Sequence, residues 1–142
     1  MPRVMKHVTG GVDINVLTRK EHAPPHVHVE HQAEGWEIKI EFSYVENKGS
    51  TYKIKHLFGK LPTQARLNAF ALAVMNSRRE CREVWWLHVP DAGLNNKWVI
   101  VTNGVASPSK QNLAGSFLVS TAIYEAPTAS MLFNGRIKGT CP

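Results

Sequence analysis

The chain has 142 residues, 43% of them hydrophobic and 20% charged, which is the make-up of one globular domain and excludes a disordered or fibrous chain. It holds no apolar run long enough to span a bilayer, and Met1-Pro2-Arg3-Val4-Met5-Lys6 lacks the apolar core of a secretory signal, so a cytoplasmic protein without a membrane partner is expected. The net charge of +6 favours an acidic partner, and the two cysteines, Cys81 and Cys141, have no C-x-x-C spacing for metal or redox work, which makes a disulfide unexpected.

In chain order, Val12-Asp13-Ile14-Asn15-Val16 alternates as a half-exposed strand with Val12, Ile14 and Val16 inward. Glu21-His22-Ala23-Pro24-Pro25-His26-Val27-His28-Val29-Glu30-His31 then packs four of the seven histidines around two adjacent prolines. Successive prolines fix φ and push the preceding residue out of the α region, so Ala23-Pro24-Pro25 is a stiff extended entry that delivers His26 at a defined angle. From His26 the period is two. His26, His28 and Glu30 line one face of a strand over about 26–32, and Val27, Val29 and His31 the other.

This polar row, with His22 and Glu21 just ahead of it, is open to three readings. His22, His26 and His28 are ligand types for zinc or another divalent metal, although no second cluster completes a four-ligand set. Neighbouring imidazoles also suit acid–base chemistry or anion binding near neutral pH. The third reading is a structural corner, in which the histidines make backbone and cross-strand bonds and no cofactor is needed.

Ala33-Glu34-Gly35 reads as a hairpin turn into the clearest strand, 36–44, with Trp36, Ile38, Ile40, Phe42 and Tyr44 on one face and Glu37, Lys39 and Glu41 on the other. After turn residues at 47–50, residues 51–57 alternate again and carry Lys53 and Lys55. Pairing of Glu37, Lys39 and Glu41 with Lys53 and Lys55 across an antiparallel ribbon would partly neutralise these lysines, which otherwise suit an acidic partner or nucleic acid.

Leu61-Pro62-Thr63 opens one long helix that ends in Trp85-Trp86, with Thr63 as cap if the helix starts one residue later. Leu67, Phe70, Ala71, Val74, Cys81 and Trp85 form its apolar stripe. Arg78, Arg79 and Arg82 make the densest basic spot of the chain, a candidate phosphate or partner contact, with a solvated flank and an Arg79–Glu83 pair as the alternative. Beyond residue 89 only Asp91, Lys97, Lys110, Glu125, Arg136 and Lys138 are charged, and strand patterns recur at 97–102, 117–124 and 131–133. The expected fold is therefore α+β: an antiparallel sheet packed by one long helix over residues 1–89, with a β-rich extension or small docked lobe over 90–142. The low charge of the extension suits contact with a protein.

Val12 to Leu17, Glu21-His22-Ala23-Pro24-Pro25-His26-Val27-His28-Val29 and Gly59-Lys60-Leu61-Pro62, in this order and followed by the helix, resemble the prokaryotic family called domain of unknown function 4160, over about residues 12–86. His22, His26 and His28 match its motif. Family members are commonly shorter, and this chain adds strand-forming residues around 36–56. The family's genes often sit beside another small protein in toxin–antitoxin-like pairs or on mobile elements, which implies a partner-binding or nucleic-acid-linked role.

No P-loop, G-x-G-x-x-G, nucleophile elbow or internal repeat is present, which disfavours nucleotide-dependent chemistry. The leading expectation is a small basic binding protein that engages a protein or nucleoprotein complex, extending to inhibition of a host defence complex by binding it. The alternative is a toxin-type ribonuclease or phosphodiesterase. There His26 and His28 would share acid–base work, His22 would orient one of them, and Arg78 or Arg82 would stabilise the phosphorane, with or without a metal. That alternative needs the arginines to approach the histidine row.

Overall fold

Alternation in the sequence becomes an antiparallel meander of five strands, β1 (Arg3–Val8), β2 (Val12–Asn15), β3 (His26–His31), β4 (Trp36–Phe42) and β5 (Tyr52–Phe58), which pair in chain order. This computed structural model describes residues 3–8, 12–15, 24–43, 52–89, 92–102, 105–111, 113–126, 129–134 and 136–137. Glu21, His22, Tyr44, the turn at 47–50 and Cys141 lie outside them. Val27 pairs with Ile40, Val29 with Ile38 and Ile14 with Val29, so one face of the meander is apolar at its centre, where these side chains are fully buried, with His31 and His56 on its margin. The other face carries His26, His28, Glu30, Glu37, Lys39 and Glu41, and continues onto Lys53 and Lys55 of β5.

Gly35 closes the β3–β4 hairpin at φ +72°, where a residue without Cβ is favoured, and its N–H donates to the carbonyl of His31 (2.8 Å). A bulge interrupts the β4–β5 ladder at Leu57, because Ile38 pairs with His56 while Glu37 pairs with Phe58.

The expectation of one long helix packing an antiparallel sheet is corrected: the helical region is two short helices, α1 (Gln64–Asn76) and α2 (Arg78–His88), and the described residues form three sheets. Thr63 caps α1, its hydroxyl accepting from Arg66 N–H (3.3 Å). The break falls at Ser77, which leaves helical geometry at φ −114°, ψ 28°. Its N–H is shared between the carbonyls of Ala73 (3.1 Å) and Val74 (3.2 Å), and Arg78 Nη1 donates to the carbonyl of Met75 (3.2 Å). That carbonyl is one a continuous helix would offer to the N–H of Arg79. Asn76 and Ser77 are weak helix formers, so periodicity alone did not mark the interruption.

The region 117–124, which alternates like one strand, is also divided. β8 (Phe117–Leu118) joins β6 (Trp98–Thr102) and β7 (Val105–Pro108), whereas β9 (Ala122–Glu125) joins β10 (Ser130–Phe133) and β11 (Arg136–Ile137). A single side chain holds the division open. Asn134 Oδ1 accepts from Ser120 N–H (2.8 Å), Ser120 Oγ (2.8 Å) and Thr121 N–H (3.2 Å), and Asn134 Nδ2 donates to the carbonyl of Leu118 (2.8 Å). The ladder bonds that would continue the strand are taken by an amide from a distant turn.

α1 lies against β4 and β5, and both helices touch β1. Trp36 packs against Phe70 with tilted rings (centroids 5.8 Å, 42° between planes), with the Arg66 guanidinium 5.3 Å above the Trp36 ring. Glu34 ties this joint together, accepting from Trp36 Nε1 (2.9 Å) and Arg66 Nη1 (2.7 Å), and these two bonds in that order hold its carboxyl below the usual range. The buried apolar cluster runs on through Val99, Ala106, Phe117 and Phe133, so the sheets after residue 97 share the core of the first part.

Candidate functional site

The histidine row forms around the prolines. His26 is 4% exposed, and its Nδ1 donates to the carbonyl of Pro24 (2.8 Å). A carbonyl only accepts, so this contact puts the ring proton on Nδ1. Phe42 N–H donates to the carbonyl of Pro25 (3.0 Å), which fastens the Pro-Pro segment to the end of β4. The His26 ring is wedged between His28 and Trp85, each with its centroid 5.0 Å away. His28 Nδ1 lies 3.8 Å from Glu37 Oε2 on the neighbouring strand, near enough for attraction when the imidazole is protonated. His22, the third residue of the predicted metal and catalytic sets, lies outside the described residues. Among the described residues no three His, Cys, Asp or Glu side chains gather as a metal set.

The three arginines have separate surroundings. Arg82 is 0% exposed, and its Nε donates to the carbonyl of Ser43 (2.7 Å), just past β4. Trp85, three residues on, abuts His26, so α2 docks on the end of the sheet that holds the histidine corner. Arg78 is turned back on α1 through Met75. Arg79 is exposed, near Tyr124, which stacks on Trp86 (centroids 5.7 Å, 18° between planes). Burial first and Glu83 second push the Tyr124 phenol up, while Arg79 and Arg82 pull the other way. Arg82 therefore faces the interior and Arg79 the solvent, and these side chains present no common basic spot. A sequence signal for Arg82 exists: positions 78, 81, 82 and 85 share one helical face, so Arg82 sits within the apolar stripe beside Cys81 and Trp85.

Lys53 and Lys55 project from β5 opposite Glu41 and Lys39 respectively, so Lys53 meets a carboxylate directly across the ladder while Lys55 faces a like charge there. Lys55 Nζ is 3.3 Å from Glu41 Oε2, and Glu41 is itself almost fully buried.

β5 also shows what the sequence reading passed over. Among the described residues it pairs only with β4, so one edge of the five-stranded sheet is open. Tyr52, Leu57 and Phe58 are exposed on it, Phe58 by 54%, and Leu61 is exposed just beyond. Two hollows flank the strand. One, of about 480 Å³, is bounded by Tyr52, Lys53, Lys55 and Glu41 and by Thr102 and Ser107 of the β6–β7 hairpin. The other, of about 380 Å³, lies toward α1 and is bounded by Tyr52, Lys53, Ile54, His56, Leu61 and Leu67. The sequence signal was Leu57-Phe58, two consecutive apolar residues where strict alternation ends.

Cys81 offers no second chemistry. Burial pushes its thiol up to about 12, so the nucleophilic thiolate is suppressed at neutral pH. Treatment of the folded protein with iodoacetamide at pH 8 is expected to leave Cys81 unmodified by peptide mapping, with full modification only in denaturant. Rapid native labelling at Cys81 would contradict this burial.

No protein-family model, curated protein or solved structure matches this chain.

Proposed function

We propose that the protein is a small macromolecule-binding module whose working surface is the open edge of β5. The observation that carries this reading is the concentration of exposed Tyr52, Leu57, Phe58 and Leu61 on one sheet edge, interleaved with Lys53, Lys55 and Lys60. Apolar side chains spaced singly over a surface are ordinary; a cluster on an unpaired edge marks a place where another chain can dock. The basic charge suits an acidic protein or a nucleoprotein complex, and the resemblance to the domain of unknown function 4160 family, with its paired small genes, points the same way. The histidine row supports this module as a stiff corner: His26 is bound to the Pro24 carbonyl and closed in by Trp85. Burial of His26 and Arg82 is poor placement for an acid and a phosphate clamp, so the ribonuclease reading gains nothing from the geometry.

The test is capture of partners from nuclease-treated host lysate by the wild-type protein and by Phe58→Glu. A stoichiometric protein partner is expected with wild type and is expected to fall at least about tenfold with Phe58→Glu, as for an apolar anchor at an interface, while the circular dichroism spectrum stays unchanged. Undiminished capture by Phe58→Glu, or recovery of degraded RNA alone, would move the function away from β5.

A further inference from the structure

We propose that β5 receives an extended acidic segment of the partner as an added strand, with acidic and apolar residues alternating along that segment. The proposal rests on the reading of β5 as the docking edge and names the form of what docks there. An open edge offers a row of backbone N–H and C=O groups, and an extended peptide satisfies its own groups by pairing with them. Side chains of such a strand alternate between the two faces of the sheet. The two faces of β5 differ in their lining, the α1 side adding Ile54, Leu61 and Leu67 to His56, Gln64 and the shared Lys53. One side leads into the hollow with Lys53 and Lys55, where Thr102 and Ser107 add hydroxyls; the other leads into the hollow with Ile54, His56, Leu61 and Leu67. Tyr52 and Lys53 border both, so a strand laid along the edge reaches the two hollows with successive residues.

The chain contains its own precedent for this pattern. β4, Trp36-Glu37-Ile38-Lys39-Ile40-Glu41-Phe42, already pairs with the inner side of β5, setting Ile40 against Ile54 and Glu41 against Lys53, while Lys39 falls opposite Lys55 and the Glu41 carboxylate, 3.3 Å from Lys55 Nζ, offsets that like-charge pair. A partner strand with acidic residues on the lysine face and apolar residues on the α1 face repeats that arrangement on the outer side. The same lysines disfavour a second copy of this chain: antiparallel pairing of two β5 edges about Ile54 sets Lys53 opposite Lys55 at both symmetric positions, and β5 carries no carboxylate to offset them as Glu41 offsets the Lys39–Lys55 pair within the sheet. The bulge at Leu57 limits the pairing length and so favours a short segment. The edge is thus guarded against itself and open to an acidic strand.

The probe is a fluorescent seven-residue peptide, matching β5 in length, with alternating Glu and Ile. It is compared with a version carrying Lys for Glu and with two versions N-methylated at alternate sets of backbone nitrogens. Fluorescence anisotropy is expected to show binding of the acidic peptide, at least about tenfold weaker binding of the Lys version, and loss of binding for one methylated set while the other stays within a few-fold, because only alternate amides of an edge strand face its neighbour. Lys53→Glu is expected to reverse the order of the acidic and basic peptides. Equal binding of both methylated sets, indifference to peptide charge, or no binding at all would overturn the strand mode. So would sedimentation showing a dimer of the free protein that Phe58→Glu dissociates, since a second copy would then own the edge. If Phe58→Glu still abolishes partner capture when the peptide fails, the docking surface stands and the strand mode alone is lost; if capture is also unaffected, both fall.

Discussion

Arg82→Ala is expected to destabilise the protein by about 3 kcal/mol or more, which is roughly 10 °C in melting temperature for a domain of this size. The guanidinium is fully buried and bonded through Nε to the Ser43 carbonyl across 39 positions of sequence. Alanine removes that donor from a buried acceptor and opens a cavity beside Trp85. Arg82→Lys should recover little, because a lysine ammonium cannot reproduce the planar Nε–H contact and is more strongly hydrated. Arg82→Met should be milder than alanine, since it fills much of the volume without a charge. Arg79→Ala, on the exposed side of α2, should stay within about 0.5 kcal/mol of wild type. Urea denaturation followed by tryptophan fluorescence measures all four. Were Arg82 a phosphate contact, its removal would leave the unfolding midpoint unchanged and lower only nucleic-acid binding.

Gly59→Ala is the second large expected loss, on the order of 3 kcal/mol, and two independent causes combine in it. Gly59 sits at φ +80°, a left-handed conformation that alanine adopts only under strain. A Cβ there would also run into the backbone carbonyl of Gly35 and the Cα of Trp36, neither of which can rotate aside. The turn is held by His56 Nε2, which donates to the Gly59 carbonyl (2.6 Å). Displacing it would shift Phe58 and Leu61 apart and deform the α1-side hollow. Gly35 provides the comparison, because it has φ +72° but open space around the missing Cβ. Gly35→Ala should therefore cost only about 1 kcal/mol, the conformational part alone. Equal losses at the two positions would show that the close approach at Gly59 is relieved by a small movement.

Much of this protein is legible residue by residue because its signals are local. Val27 and Val29 face the core and His26 and His28 the other side for the reason that a strand alternates; Thr63 caps α1 because its hydroxyl can reach the N–H of Arg66. The match of Glu41 to Lys53 also follows from reading two neighbouring strands against each other. The positions that escaped are those where a distant group takes over a local preference. Asn134 divides a periodic strand and the Ser43 carbonyl accepts a buried arginine that looks like a surface charge, whereas Ser77 divides a periodic helix through bonds within four residues. The openness of β5 belongs with them, since an edge strand and a central strand can share one alternating pattern, and only the order of strands in the sheet tells them apart. Sequence alone determined which sides of β2, β3 and β4 are apolar, because that depends on neighbours one and two residues away. Tertiary structure alone decided which strand lies at the sheet edge among the described residues and which charges are buried, because those depend on partners tens of residues away.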